Sequence, residues 1–376
     1  MIGQKGVPAT YGGVERHVEE IGTRLAARGH RVRVYTRPSY GGESGDYRGM
    51  ELVRLPSVPT MHLDAISHSL LSAVHCLGWA DLVHLHGIGP ALALPLPKLL
   101  GRTTVLTVHA LDYQRGKWGS GAKRALQWGE RVGLRWADGV TAVSRDLCVL
   151  LASRYHREVT YVPNGVEDFE APAADLVRSE FRLNPGEYFF FAARLVPEKG
   201  ADLLLDAYRR LPGDRPLVLA GGSSYSKDYV DQLKARGAGD PRVRFLDYVH
   251  GEPLRALYAH SLAFVLPSRV EGLSLGLLEA MQAGALVIAS DVPANLEVVG
   301  ADPALRCALT FRAGDALDLE RALREALALD SAQRSSFIER ARRWVRERYD
   351  WDRVVDRLEQ VYQRARAPQP RPSSPR

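Results

Sequence analysis

Cysteine is scarce in this chain: 3 in 376 residues, Cys76, Cys148 and Cys307, all far apart. That spacing excludes a disulfide framework and a cysteine-based metal centre, and it suits a reducing cytoplasm. Long apolar runs are missing too. No window approaches the roughly 18–20 uncharged apolar residues that a membrane-spanning helix needs. The opening Met1-Ile2-Gly3-Gln4-Lys5-Gly6 has no apolar signal region. Zinc-finger, RNA-recognition and helix-turn-helix patterns are absent, which makes nucleic acid a poor partner. Compact acid clusters of the kind that hold Mg²⁺ or Mn²⁺ are absent except for Asp350-Trp351-Asp352. That pair opens a helical pattern, so Asp350 is expected to cap the helix rather than bind metal.

The remaining composition is that of an ordinary globular chain, 45% hydrophobic and 25% charged. The length favours two domains. Charge is unevenly spread. Residues 1–165 hold 20 Lys and Arg against 13 Asp and Glu, whereas residues 166–376 hold 30 against 31. Nine of the eleven histidines also lie in the first part. A basic half attracts an anionic substrate or an anionic membrane face.

Apolar runs alternate with helical patterns from end to end. Strands are expected at 32–36, 52–55, 82–85, 104–108, 140–143 and 159–162, with helices near 13–29, 63–78, 117–136 and 144–154. The series then restarts, with strands at 188–191, 216–220, 243–246, 263–266 and 286–289 and helices near 200–211, 227–236, 252–260 and 275–283. Such alternation predicts an α/β protein with parallel sheets covered on both faces. The seam is the turn-rich Pro163-Asn164-Gly165. We therefore expect two Rossmann-like domains, 1–165 and 166–349, with ligands beyond the carboxyl ends of the strands in the cleft between them. Helices near 315–329 and 331–348 follow, then a last helix over 350–366. The tail 367–376 is too poor in apolar residues to fold.

The most informative segment is Glu271-Gly272-Leu273-Ser274-Leu275-Gly276-Leu277-Leu278-Glu279. Its two carboxylates straddle a strand-to-helix loop. The free amides of the first helical turn, near Ser274 to Gly276, suit an anionic group. Ala193-Arg194-Leu195-Val196-Pro197-Glu198-Lys199-Gly200 follows another strand and supplies two cations. A forked guanidinium and a compact ammonium can together stabilise a diphosphate that gains charge as it leaves. Gly12-Gly13 opens the first helix in Gly6-Val7-Pro8-Ala9-Thr10-Tyr11-Gly12-Gly13-Val14-Glu15-Arg16. Neither the dinucleotide nor the P-loop spacing is met there, yet two glycines at a helix start admit a phosphate.

The Glu271 to Glu279 spacing resembles the acid-x7-acid motif of retaining glycosyltransferases of family 4, which have the GT-B fold. The Arg194 and Lys199 pair and the N-terminal glycine loop resemble the same family. The glycine loop and Gly221-Gly222-Ser223-Ser224-Tyr225 resemble in particular a bacterial polysaccharide subgroup that includes rhamnosyltransferases. The resemblance runs from Gly3 to about Tyr362. It implies transfer of a hexosyl or deoxyhexosyl group from a nucleotide sugar to a hydroxyl of a saccharide or lipid-linked acceptor, in cell-surface polysaccharide or glycolipid synthesis. It also implies that the donor binds the second domain, the acceptor binds the first, and the 350–366 helix returns to the first domain.

On that resemblance Glu279 holds the ribose. Ser274 and Leu275 amides, with Arg194 and Lys199, hold the diphosphate. Gly12 and Gly13 face the donor phosphate and sugar, Glu271 contacts the donor sugar and His109 supports the reacting carbon. No metal or other cofactor is implied, because the Asp-x-Asp of the other glycosyltransferase architecture is not matched in position. His84 and His86 lie two apart on a strand, and one is expected to point inward, with His86 lining the acceptor side. The basic 115–135 stretch, with Trp118, Trp128 and Trp136, reads as an amphipathic helix packing its tryptophans inward or as a contact with the cytoplasmic membrane face.

Two other readings compete: a sugar-nucleotide epimerase on a similar fold, and a non-catalytic homologue that binds nucleotide. One departure from the family is the start, where only Met1-Ile2 precede Gly3, so further apolar strand residues are expected upstream.

Overall fold

The computed structural model describes residues 1–10, 12–40, 44–60, 63–114, 116, 118–222 and 227–367. Ser223, Ser224 and Tyr225 of the second glycine segment, Arg115 and Lys117 of the basic stretch, and the tail from 368 lie outside the described residues. Two compact units emerge, Met1–Pro163 with Trp351–Arg376, and Asn164–Asp350.

The first unit runs α1 (Gly13–Ala27), β1 (Val32–Thr36), β2 (Gly45–Tyr47), β3 (Met50–Arg54), α2 (Asp64–Cys76), β4 (Leu82–His86), α3 (Pro95–Leu99), β5 (Thr103–Val108), α4 (Ser120–Trp136), β6 (Gly139–Ala142), α5 (Arg145–Tyr155) and β7 (Thr160–Tyr161). Its strands form one sheet of order β1-β3-β2 and another of order β4-β5-β6-β7. Pairing is parallel except for β2 with β3. Met1 and Ile2 run between the two sheets. Ile2 N–H donates to His84 O at 2.9 Å, and His86 N–H donates to Ile2 O at 2.8 Å. On the other side the Met1 ammonium donates to Arg33 O at 2.6 Å and Tyr35 N–H donates to Met1 O at 3.2 Å. Burial lowers the pKa of that amino group to about 5.

The second unit runs α6 (Asp175–Phe181), β8 (Phe189–Ala192), α7 (Ala201–Tyr208), β9 (Leu217–Ala220), α8 (Lys227–Gly237), β10 (Val243–Leu246), α9 (Gly251–Ala259), β11 (Ala263–Leu266), α10 (Leu275–Ala283), β12 (Val287–Ser290), α11 (Pro293–Val299), β13 (Leu309–Phe311), α12 (Ala316–Ala328) and α13 (Ser331–Arg348). Its six strands pair in parallel, in the order β10-β9-β8-β11-β12-β13. This is the doubly wound order in which successive crossovers leave in opposite directions between the first and fourth strands. Strands β9, β11 and β12 are buried at every position, as a sheet covered on both faces requires. The core joins Phe189, Phe191, Leu204, Leu219, Val265, Ile288 and Leu323.

Helix α14 (Trp351–Arg366) returns to the first unit, burying Trp351, Val354, Val355, Leu358 and Val361. Asp352 lies 3.6 Å from Arg24 and 3.6 Å from Arg28, both on the α1 side of that unit. Among the described residues, no helix is long and apolar enough to cross a membrane.

Candidate functional site

In the second unit the strand order places the loops after β8 and β11 side by side at the switch point. Those loops carry the two segments that stood out in the sequence. Lys199 Nζ donates to Glu271 Oε1 at 2.5 Å, and Ser268 Oγ donates to the same oxygen at 2.6 Å. Glu271 exposes 7% of its side chain and Lys199 16%. The predicted cation and the predicted acid are thus partners of one another. An ammonium has three N–H donors, so Lys199 retains capacity for an anion while paired with Glu271.

Backbone constraints hold the turn that carries Lys199. Gly200 has φ +70°, and a Cβ there would sit 2.1 Å from Pro267 O. Only glycine permits this approach of the β8 loop to the end of β11. Arg269 donates to Pro197 O at 2.6 Å, pairs with Asp202 at 2.8 Å, and its own N–H reaches Glu198 O at 2.8 Å. Arg194 is half-buried on the same loop.

Helix α10 begins beside this pair. Ser274 caps it, its Oγ accepting from Leu277 N–H at 3.4 Å. Leu275 opens the first turn, and Glu279 follows one turn later, half-buried. Its charge adds to the burial that holds the Tyr258 phenol well above its usual range. The buried Asn164 donates from Nδ2 to Leu273 O at 3.0 Å and fixes the residue before the cap.

The first unit gathers a different set. Gly12 adopts φ +104°, and a Cβ there would meet Glu15 Oε2 at 2.0 Å. Glu15 Oε1 accepts from Lys5 N–H at 2.9 Å, and Glu19 Oε2 accepts from Ala9 N–H at 3.0 Å. Acids of α1 therefore bind the backbone of the glycine loop that leads to Gly13. His109 follows β5, half-buried, with Nε2 at 3.3 Å from His86 Nδ1.

Four sequence expectations need correction or addition. Both His84 and His86 point inward, at 2% and 1% exposure, because residues two apart on a strand share a face. His84 is structural: Nδ1 meets Tyr362 OH at 2.7 Å and Nε2 meets Thr107 Oγ1 at 2.7 Å. The tryptophans of α4 do not pack inward. Trp128 is 60% exposed, while Gly129, Glu130, Gly133 and Leu134 form the buried face. Sequence reasoning missed Arg269, Ser268 and Asn164. Their residue types are common in loops, and the only signal was their position just after a strand or within the seam turn.

A doubly wound unit with a cation–carboxylate pair and a helix N-terminus at its switch point belongs to the class of α/β folds that take ligands beyond the carboxyl ends of their strands. Comparison with known proteins takes this further. Residues 176–344 match the family model described as glycosyl transferases group 1, and residues 11–168 match that described as glycosyltransferase family 4. The chain belongs to the family 4 glycosyltransferases and has the GT-B fold. It is 28% identical to the glycogen synthase of Mycobacterium tuberculosis, across 99% of this chain and 96% of that one. Among solved structures it resembles sucrose-phosphate synthase from Thermosynechococcus elongatus, with TM-score 0.81, 23% identity and coverage of 94% and 93%. It also resembles Anabaena HepE in complex with UDP-glucose, with TM-score 0.79, 16% identity and coverage of 96% and 98%. The epimerase and non-catalytic readings are not favoured by these matches.

Proposed function

We propose that this glycosyltransferase takes a hexosyl or deoxyhexosyl group from a nucleoside-diphosphate sugar, with retention, and passes it to a hydroxyl of a membrane-held saccharide or lipid acceptor. The observation that carries this reading is the Lys199–Glu271 pair at 2.5 Å beside the N-terminus of α10. The bond from the anomeric carbon to the phosphate oxygen breaks, and a bond to the acceptor oxygen forms. The acceptor proton passes to the released phosphate. The leaving diphosphate gains charge, which Lys199, Arg194 and the amides of Ser274 and Leu275 stabilise. Glu279 holds the ribose, and Glu271, kept in place by Lys199 and Ser268, contacts the donor sugar. His109 and the Gly12-Gly13 loop act on the sugar and its phosphate, and His86 serves the acceptor side. The UDP-glucose complex of HepE supports a nucleotide-sugar donor.

Cationic side chains and helix amides take the part of a metal in this reaction, so turnover survives EDTA. Complete loss in EDTA with recovery in Mn²⁺ would overturn that. The acceptor reading rests on the first unit, where Leu99, Leu100, Trp128 and Trp136 are exposed together with Arg124, Arg131 and Arg135. Amphipathic tryptophan and arginine side by side suit an anionic lipid surface at the cytoplasmic face. Calorimetry against a panel of nucleoside diphosphates tests the donor site. A base-selective complex that Lys199→Ala weakens is expected, and equal affinity in wild type and variant would overturn the assignment.

A further inference from the structure

Three histidines of the first unit converge: His17 from α1, His86 from the end of β4 and His109 from just beyond β5. The His17 ring centroid lies 4.8 Å from that of His109 and 5.7 Å from that of His86, edge-on in both cases. One ring nitrogen from each residue falls within 4.8 Å of the other two. Among the described residues, no other three His, Cys, Asp or Glu side chains offer this. His17 and His86 are 0% and 1% exposed, and His109 is half-buried.

Zinc–imidazole bonds are about 2.0–2.1 Å in tetrahedral sites, which puts ligand nitrogens about 3.3–3.4 Å apart. His86 Nδ1 and His109 Nε2 stand at 3.3 Å in a hydrogen bond, which must open, with loss of its proton, for both nitrogens to face a metal. The third ligand lies within 4.8 Å, so it must close by no more than about 1.5 Å. Trp351 packs edge-on against His17 at 5.7 Å and backs it from α14.

We propose that His17, His86 and His109 form an inhibitory site for a divalent transition metal such as Zn²⁺, with water in the fourth position. An all-imidazole set suits Zn²⁺, Co²⁺ or Cu²⁺ and not the oxygen-seeking Mg²⁺ or Ca²⁺. Metal binding follows from the cluster alone. Its inhibitory consequence rests on the proposed role of His109, because a coordinated imidazole is withdrawn from the reaction.

The test is titration of the full chain, freed of metal, with Co²⁺. Visible ligand-field absorption reports tetrahedral coordination. One equivalent should produce intense bands that Zn²⁺ abolishes by displacement. His109→Ala should lose them, with a thermal melt confirming that the variant is folded. His17→Gln should weaken Co²⁺ by more than about tenfold, since even an outer-shell partner is worth that much. His30→Ala serves as the control, since His30 pairs with Glu359 on the exposed surface and should leave the bands intact. Weak octahedral spectra, or bands unchanged in both cluster variants, would overturn the site. Tetrahedral bands together with Zn²⁺-insensitive sugar transfer would leave the site standing and overturn the role given to His109.

Discussion

Lys199 and Glu271 show why a residue cannot be assigned a role from its charge alone. Each was legible in the sequence as a candidate, but their 2.5 Å contact was not. If Lys199 holds the diphosphate as proposed, Lys199→Ala removes one charge-assisted contact worth about 1.5–3 kcal/mol, so nucleoside-diphosphate affinity should fall roughly 10- to 100-fold. It also strands the Glu271 carboxylate, so the melting temperature should fall as well. Adding Glu271→Gln to Lys199→Ala should restore much of the stability and none of the affinity, and paired calorimetry and thermal melts would separate the two effects. Alone, Glu271→Gln should lower kcat, whereas Glu279→Ala should raise donor KM, as expected for a contact present in ground and transition states alike.

His68 supplies a test of pH dependence. Its ring is fully buried on α2, with Nε2 3.0 Å from Thr36 O. Burial, and then the Arg37 charge, lower its pKa to about 4. The unfolded chain takes up this proton near pH 6.5 and the native chain does not. The contribution of His68 to stability is therefore complete above pH 6.5 and lost as pH falls from 6.5 to about 4. The slope it adds is at most about 1.4 kcal/mol per pH unit. Urea unfolding at pH 7 and 5 should show a smaller difference for His68→Gln than for wild type.

At the scale of elements, hydrophobic periodicity located nearly every helix and central strand to within a few residues. It missed the short pieces β2, α3, α6, α11 and β13, whose three to seven residues carry too little pattern. It also placed α4 correctly while misjudging its buried face. That face is made of small residues, Gly129 and Gly133, against which a Cβ would meet Ile88 O at 2.0 Å and Leu106 Cδ2 at 2.4 Å. Close backbone packing puts small residues at the contact, so a sequence argument keyed to the large tryptophans picks the wrong face. The same closeness governs the Lys199 turn. Gly200→Ala would force a left-handed residue, at about 1–2 kcal/mol, and drive its Cβ into Pro267 O. We expect a loss of about 2–4 kcal/mol in stability together with weakened nucleotide binding. Full retention of both in a chemical denaturation and calorimetry series would show that the turn relaxes freely.

For the whole molecule, the charge asymmetry of the sequence meets an exposed apolar surface that only the structure reveals. Binding to anionic vesicles should weaken with salt, as screening shortens to about 8 Å at 0.15 M. Arg131→Gln with Arg135→Gln should cost about 2 kcal/mol of membrane affinity, roughly 30-fold, at about 1 kcal/mol per cation. Trp128→Ser should reduce binding at high salt more than at low salt, where charge dominates. Equal sedimentation with neutral and anionic vesicles would count against the membrane reading.

The sequence by itself determined the alternation of strands and helices, and so a pair of parallel α/β sheets, because helix and strand periods are properties of local side-chain direction. It also marked Glu271 to Glu279, Arg194 to Lys199 and Gly12-Gly13, because loops between a strand and a helix are short enough for spacing to stand for geometry. Tertiary structure decided what spacing cannot encode. The order β10-β9-β8-β11-β12-β13 brought Lys199 to Glu271 across 72 positions. Three elements brought His17, His86 and His109 together. Asn164 and Arg269 acquired their roles only when distant backbone carbonyls reached them. Contacts between residues remote in the chain depend on strand order and on packing, and neither leaves a periodic trace in the residues that make them.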